Sequence, residues 1–267
     1  MADVSIVFDI GGTNMRIAAC RESVLGEAKK IPTPQNPKEA IAQLVALAKE
    51  MAGGEKIDAV AGCIRGTIVD GVFRKDKRLP EWEGTKLADE ISLAIGAETT
   101  IAHDTAAVGL GEVHHGAGRG SRVCAYVTVS TGVGGDRIVD GHLDHGTYNP
   151  EIGRQLIQGE ELEDLISGEA VKKKFGIEPK DLADIEERNK LADILAIGLY
   201  NSALHWTPDT IVLGGSMIVG VNPIPIPRVV EMLSKYLTMY PKVPEIKMAE
   251  LGDFGGLHGA MVLALQK

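Results

Sequence analysis

The run Asp9-Ile10-Gly11-Gly12-Thr13-Asn14 stands between two apolar, strand-like segments and carries the parts of a phosphate grip. Two adjacent glycines admit φ > 0, so consecutive backbone N–H groups can turn toward one anion. Thr13 and Asn14 add polar side chains, and Asp9 sits where a magnesium ion or its waters would be held. A tight hairpin without a ligand has the same pattern, and for this stretch alone that alternative stays open. GxxxxGK and GxGxxG are absent and a strand rather than a helix follows, which excludes the P-loop and Rossmann readings. Two further glycine turns each follow an apolar strand: Ser130-Thr131-Gly132-Val133-Gly134-Gly135 after Val123–Val129, and Gly214-Gly215-Ser216 after Thr210–Leu213. Three such turns fit a nucleotide, the first two at its phosphates and the third beside base and ribose.

Phosphoryl transfer to a hydroxyl also needs a base, and Asp104 ends the segment Thr99–Ala102 at the head of a small-residue helix, where a side chain can be aimed at a substrate. Capping that helix is the competing use of this aspartate. Glu151 and Glu163 each offer two acceptor oxygens, a match for vicinal hydroxyls. Glu163 lies in the acidic run Glu160–Asp164, which also suits a solvated helix face.

The elements that must position these residues alternate between strand and helix. Val4, Ile6 and Phe8 alternate with smaller neighbours, and Met15 and Ile17 suit a returning strand. Lys38–Met51 carries Ile41, Leu44, Val45 and Ala48 at helical spacing and stops at Gly53-Gly54. Ile57–Gly62 is a short strand running on to Arg65-Gly66, Lys86–Ile95 a helix, Thr99–Ala102 a strand and Thr105–His115 a helix. The plan then repeats: strand, polar glycine turn, strand, with helices near 160–175 and 190–205 and a last one after Gly255. This is an α/β chain with a weak internal duplication, which would place two phosphate loops across one cleft.

A formal charge of −9 over 267 residues speaks against nucleic acid or an anionic membrane as partner. Cys20, Cys63 and Cys124 lie far apart without CxxC spacing, as expected of reduced core thiols. No leader-like start and no apolar run of membrane-spanning length are found, so a cytoplasmic location is expected. His114, His115, His142 and His145 lack the cysteine or carboxylate spacing of a metal site.

With these motifs in place the chain resembles the ROK family of sugar kinases over nearly its whole length. Asp9–Arg16 and Ser130–Gly135 are similar to the family's two phosphate motifs, and Leu79-Pro-Glu-Trp82-Glu-Gly84 to its Leu-Pro-x-Trp-x-Gly segment. His103-Asp104-Thr-Ala-Ala resembles the Asn-Asp-Ala-x-Ala run, Glu151-Ile-Gly153 the start of Glu-x-Gly-His, Leu162–Gly168 the segment with a second sugar-binding glutamate, and Val212–Ser216 the adenosine-side turn. The resemblance implies a two-domain actin-like ATPase fold, a duplicated ribonuclease H-like α/β architecture. A small domain over 1–105 and a larger one over 106–267 are expected, with the last helix packing back on the small domain. It implies a homodimer and transfer from ATP with Mg²⁺ to a hexose-like sugar, most simply to its 6-hydroxyl. Asp104 would be the base. Gly11, Gly12, Thr13, Asn14, Thr131, Gly132 and Gly134 would surround the phosphates, Gly214 and Gly215 the adenosine, and Asp9 would hold Mg²⁺ through water. Arg65, Gly66, His103, Asp104, Glu151, Arg154 and Glu163 form the expected substrate side.

Three departures bear on the acceptor. His103 replaces the family's asparagine, Arg154 replaces the histidine of Glu-x-Gly-His, and the cysteine-rich loop that follows is missing. A structural zinc needs about four soft or imidazole ligands, so none is expected here. Arg154 would either meet an anionic group of the substrate or pair with Glu151. Asp136, where a glycine is usual, would oppose or hold magnesium. A sensor that binds sugar without phosphorylating it, and a kinase for an amino sugar or polyol, are the alternatives.

Overall fold

In the computed structural model, residues 4–144 and 146–266 are described. The chain forms two compact units, residues 1–114 with 251–267, and residues 115–250.

The first unit is built on a sheet of β1 (Val4–Ile10), β2 (Asn14–Arg21), β3 (Val24–Leu25), β4 (Lys29–Pro32), β5 (Ile57–Ile64) and β8 (Glu98–His103), with the order β3-β2-β1-β5-β8 and β4 on β2. A small hairpin, β6 (Ile68–Val69) with β7 (Val72–Phe73), lies off this sheet. β1 runs antiparallel to β2 and parallel to β5, which is parallel to β8. Alternation decides the two faces of β1. Val4, Ile6, Phe8 and Ile10 pack into the core with α1 (Pro37–Ala52) and α2 (Leu87–Ile95), while Val7 on the other face meets Leu257, Ala260 and Met261 of the last helix. Asn36 caps α1 by accepting from Lys38 N, Pro37 opens it, and Gly53 at φ 60° ends it.

The last helix (Gly255–Leu265) belongs to this first unit and lies against α3 (Asp104–His115) with their backbones nearly touching. A Cβ on Gly259 would stand 1.7 Å from the Ala107 carbonyl oxygen, so only glycine permits the approach. α3 stays with the first unit through His114, so the division falls at the end of that helix, nine residues beyond the expected 105. Helix-on-helix packing through Gly111, Gly255 and Gly259 is the reason.

The second unit repeats the plan. β9 (Val123–Val129), β10 (Val133–Val139) and β11 (His142–Leu143) form an antiparallel ladder; β14 (Thr210–Gly214) joins β9 in parallel and β15 (Glu245–Met248) joins β14. The pair β12 (Leu156–Ile157) with β13 (Glu160–Glu161) leads into α4 (Leu162–Ile166). The helix expected near 160–175 is two: buried Ser167 ends α4 and caps α5 (Gly168–Phe175) by accepting from Ala170 N at 3.1 Å. The long α6 (Ile185–Trp206) supplies Leu191, Leu195 and Leu199 to the core, with α8 (Ile226–Tyr236) beside it and the single turn α7 (Ser216–Val219) after β14. Among the described residues no helix is long and apolar enough to cross a membrane.

Candidate active site

The Gly-Gly turn joins β1 to β2 as expected, but its glycines serve close approach rather than positive φ. Neither Gly11 nor Gly12 lies in the left-handed region. The Gly11 N–H donates to the Asn14 carbonyl at 2.9 Å and so closes the turn instead of facing a ligand. Thr33 fastens the turn from the neighbouring strand end, its hydroxyl donating to Gly11 O at 2.7 Å and its N–H to Thr13 O at 2.9 Å. A Cβ on Gly12 would meet Arg78 Cβ at 2.6 Å and Arg65 Cδ at 3.2 Å. Gly12→Ala should therefore displace the Arg78 segment at a cost of about 1–3 kcal/mol in unfolding free energy, as overpacking does. Chemical denaturation would show it; an unchanged midpoint would mean the arginines yield freely.

Asp9 faces Arg16 across the hairpin, directly opposite in register. Arg16 Nη1 donates to Asp9 Oδ2 at 3.2 Å while Nη2 reaches Asp253 at 3.0 Å. The Cys63 thiol on β5 donates to Asp9 Oδ1 at 3.4 Å, and Gly256 is close enough that a Cβ there would sit 3.0 Å from Asp9 Cγ. Burial raises the Asp9 pKa above its ordinary value, the Arg16 guanidinium opposes that shift, and the Asp104 carboxylate adds to it. The Cys63 thiol is pushed up by burial and by the two carboxylates, so it serves as a donor and stays protonated.

Asp104 heads α3. Its Oδ1 accepts from Thr105 N at 2.7 Å and lies 3.2 Å from His103 Nδ1, which also meets Thr105 Oγ1 at 2.7 Å. The carboxylate thus makes a bond of its own at the helix start, while its side chain stays 39% exposed. Asp9 and Asp104 are two carboxylates within electrostatic reach of each other. That arrangement suits magnesium, which keeps several waters and takes one or two carboxylates along with phosphate oxygens. Among the described residues no group of three His, Cys, Asp or Glu gathers as a metal cage.

The second unit brings two of the glycine turns together. Gly214 pairs with Thr128 where β14 lies beside β9, and Ser216 Oγ is 3.1 Å from Ser130 Oγ. Gly215 takes φ 90°, and a Cβ there would stand 2.3 Å from the Val129 carbonyl, so both conformation and space demand glycine. Thr131 is exposed at the tip, Gly132 follows, and Gly134 stands opposite Thr128 one residue into the ladder. Glu163, at the head of α4, reaches this turn: its Oε2 accepts from Val133 N at 2.8 Å and lies against Gly132. Arg154 donates to Glu161, not Glu151, and Glu161, Glu163 and Glu151 together hold the guanidinium's pKa above its ordinary value. Glu151 is exposed and precedes the short turn Ile152–Arg154, which packs on Val133 through Gly153. Asp136 is 4% exposed on β10, its Oδ1 accepting from Arg137 N, and is not presented at the turn.

Sequence reasoning gave no site role of their own to Arg16, Arg78 or Asp76, read Cys63 only as a core thiol, and took Ser216 only as the end of the third glycine turn. The hairpin register, which puts Arg16 opposite Asp9, is the signal that would have found the first. Cys20, Cys63 and Cys124 are buried and none is in a disulfide. His145 lies outside the described residues.

A β-hairpin whose turn carries the polar glycines, a parallel strand at its side, and the whole arrangement built twice define an actin-like ATPase fold. Solved structures carry the same fold: the ROK hexokinase from Thermus thermophilus aligns with a TM-score of 0.87 at 24% identity over 98% of both chains. A ROK family glucokinase from Streptomyces griseus, in complex with glucose and AMPPNP, aligns at 0.78 and 21% over 99% of this chain and 100% of that one. The ROK family sequence model matches residues 5–267, and the chain belongs to the ROK family. A fructokinase from Zymomonas mobilis is 30% identical over 209 residues, 70% of this chain and 68% of that enzyme.

Proposed function

We propose that this chain is an ATP- and Mg²⁺-dependent kinase that phosphorylates a hydroxyl of a hexose or related sugar. The observation that carries the reading is the pair Asp9 and Asp104 in the unit whose Gly11–Asn14 turn bears the family's phosphate motif. Asp104 takes the proton of the acceptor hydroxyl as its oxygen bonds to the γ-phosphorus. The bridge to the β-phosphate breaks with its electron pair leaving on ADP. His103, held by Thr105, orients that carboxylate and meets the sugar where the family has asparagine. Thr13, Asn14, Thr131, Gly132 and Gly134 line the phosphates, Gly214 and Gly215 the adenosine, and Glu151, Glu163, Arg65 and Gly66 the sugar. Magnesium, bound by Asp9 through water, would neutralise charge on the phosphates. A homodimer in the cytoplasm completes the reading, which draws on the fructokinase and glucokinase among the relatives.

A second reading, a sugar sensor without transfer, is favoured by one feature: Arg154 is tied to Glu161, and Glu163 to Val133 N. A coupled ADP-release screen over hexoses, amino sugars and polyols separates the two. A sugar that stimulates ADP release is the expected result. Sugar binding by calorimetry with no acceptor stimulating turnover would establish the sensor.

A further inference from the structure

The segment between β5 and the buried Leu79 reverses the sign of the molecule. Residues 65–78 hold Arg65, Arg74, Lys75, Lys77 and Arg78 against only Asp70 and Asp76, in a chain of formal charge −9. This is more than a solvated charge run, because the segment is fixed at both ends and folded onto the first glycine turn. Leu79 and Trp82 are fully buried, and Trp82 Nε1 donates to the Pro34 carbonyl at 3.2 Å. Arg74 N donates to Thr67 O at 2.8 Å. Asp76 shapes the loop from inside, its Oδ1 accepting from Arg78 N at 2.8 Å and Leu79 N at 3.1 Å. The same carboxylate meets the Arg65 guanidinium only at 3.3–3.4 Å, a long contact for an ion pair. The stems of Arg65 and Arg78 then close on Gly12, which must lack a side chain to admit them. Two arginine stems are thereby seated beside the turn that carries the phosphate motif.

The internal duplication supports this placement. Arg65-Gly66 follows β5 and Gly215 follows β14, and Gly66 and Gly215 share φ 90°. Where the chain leaves the strand, one unit has a glycine at once and the other has an arginine before its glycine.

We infer that Arg65 and Arg78, seated on Gly12, form a binding site for a phosphoryl group. Guanidinium forks match the geometry of phosphate oxygens bidentately and stay charged at any working pH. The occupant rests on the kinase reading and has two sources with one chemistry: the terminal phosphoryl of the donor, or a phosphate ester carried by the acceptor sugar.

Calorimetric titrations of the full chain with Mg²⁺·ATP, Mg²⁺·ADP, glucose, glucose 1-phosphate and inorganic phosphate test it. The proteins compared are the wild type, Arg65→Gln, Arg78→Gln and a charge-matched control, Lys49→Gln on α1. Glutamine keeps the stem carbons that lie on Gly12, so the loop remains supported. Each arginine variant should lose about tenfold in affinity for inorganic phosphate, the effect of one charge-assisted hydrogen bond. A loss for ATP with ADP unchanged places the donor's terminal phosphoryl there. A loss for glucose 1-phosphate with glucose unchanged places the acceptor's ester there. Unchanged phosphate affinity with both ratios as in the wild type, or an equal loss in Lys49→Gln, overturns the inference. Failure of the kinase reading looks different: the wild type would bind no nucleotide, and the inorganic phosphate titration alone would decide the site.

Discussion

Asp104→Asn should abolish sugar phosphorylation, lowering turnover by about 10²–10⁴-fold or more, while leaving ATP affinity and the melting temperature nearly unchanged. The expectation follows from what the side chain does at the head of α3. Its Oδ1 accepts from Thr105 N at 2.7 Å, a bond that an asparagine oxygen also makes, so the helix start survives the change. What disappears is the capacity to take a proton. Stability and catalysis are therefore separable at this position, which they would not be if the aspartate served mainly as a cap. Steady-state kinetics with the acceptor found by the screen, beside a thermal melt and an ATP titration, make the measurement. Turnover close to that of the wild type would remove Asp104 from the mechanism. A lower melting temperature with proportional loss of activity would return it to a structural role.

Asp9→Asn should separate stability from function in the opposite sense, raising the melting temperature of the ligand-free protein while removing its response to Mg²⁺·ATP. The sign follows from the direction of the shift. Burial raises the Asp9 pKa in the folded state above its ordinary value of 3.8 despite Arg16. The carboxyl therefore contributes stability below that value, and the contribution is lost as pH rises through the folded pKa. At neutral pH the wild type holds a buried charge at a cost; the neutral amide does not. The difference in melting temperature should shrink as pH falls into the carboxylate range, where the wild type becomes neutral too. Ligand-linked stabilisation requires binding to the native state, so the Mg²⁺·ATP shift expected of the wild type should vanish in the variant. A ligand-free variant that melts earlier, with the Mg²⁺·ATP shift intact, would show that Arg16 outweighs burial and that the metal lies elsewhere.

The parts legible in the sequence are those where local pattern and tertiary role agree. The alternation of Val4, Ile6 and Phe8 marks β1 because that whole face packs into the core, and the stop at Gly53 is a left-handed cap. The three glycine turns were visible for the same reason. Their physics was not. Gly12 is glycine to admit two arginine stems, and Gly11 to make a tight turn, and neither fact leaves a trace in a window of neighbouring residues. The Asp9–Arg16 pair needed the hairpin register. Glu163 was named from the sequence despite its acidic run, but its partner was not: Oε2 accepts from Val133 N, 30 residues away in sequence. Arg154 chose Glu161 over Glu151 because the β12–β13 pair folds back beside it. The missed break between α4 and α5 is the one failure with a local signal, a buried serine before Gly168 and Glu169 that caps the second helix.

The doubled architecture has a consequence for how such a chain can change over generations. Each unit carries the same hairpin and flanking parallel strand, but the two have been freighted differently. The corner after β14 tolerates almost nothing: a substitution at Gly215 meets a carbonyl oxygen at 2.3 Å. The corner after β5 instead bears a side chain, Arg65, followed by a loop in which Arg74, Lys75 and Lys77 are exposed and the Arg78 stem rests on Gly12. Variation at the exposed Arg74, Lys75 and Lys77 leaves those anchors in place. The loop of one copy can therefore take other side chains at those positions, while the corner of the other copy is closed to any residue but glycine.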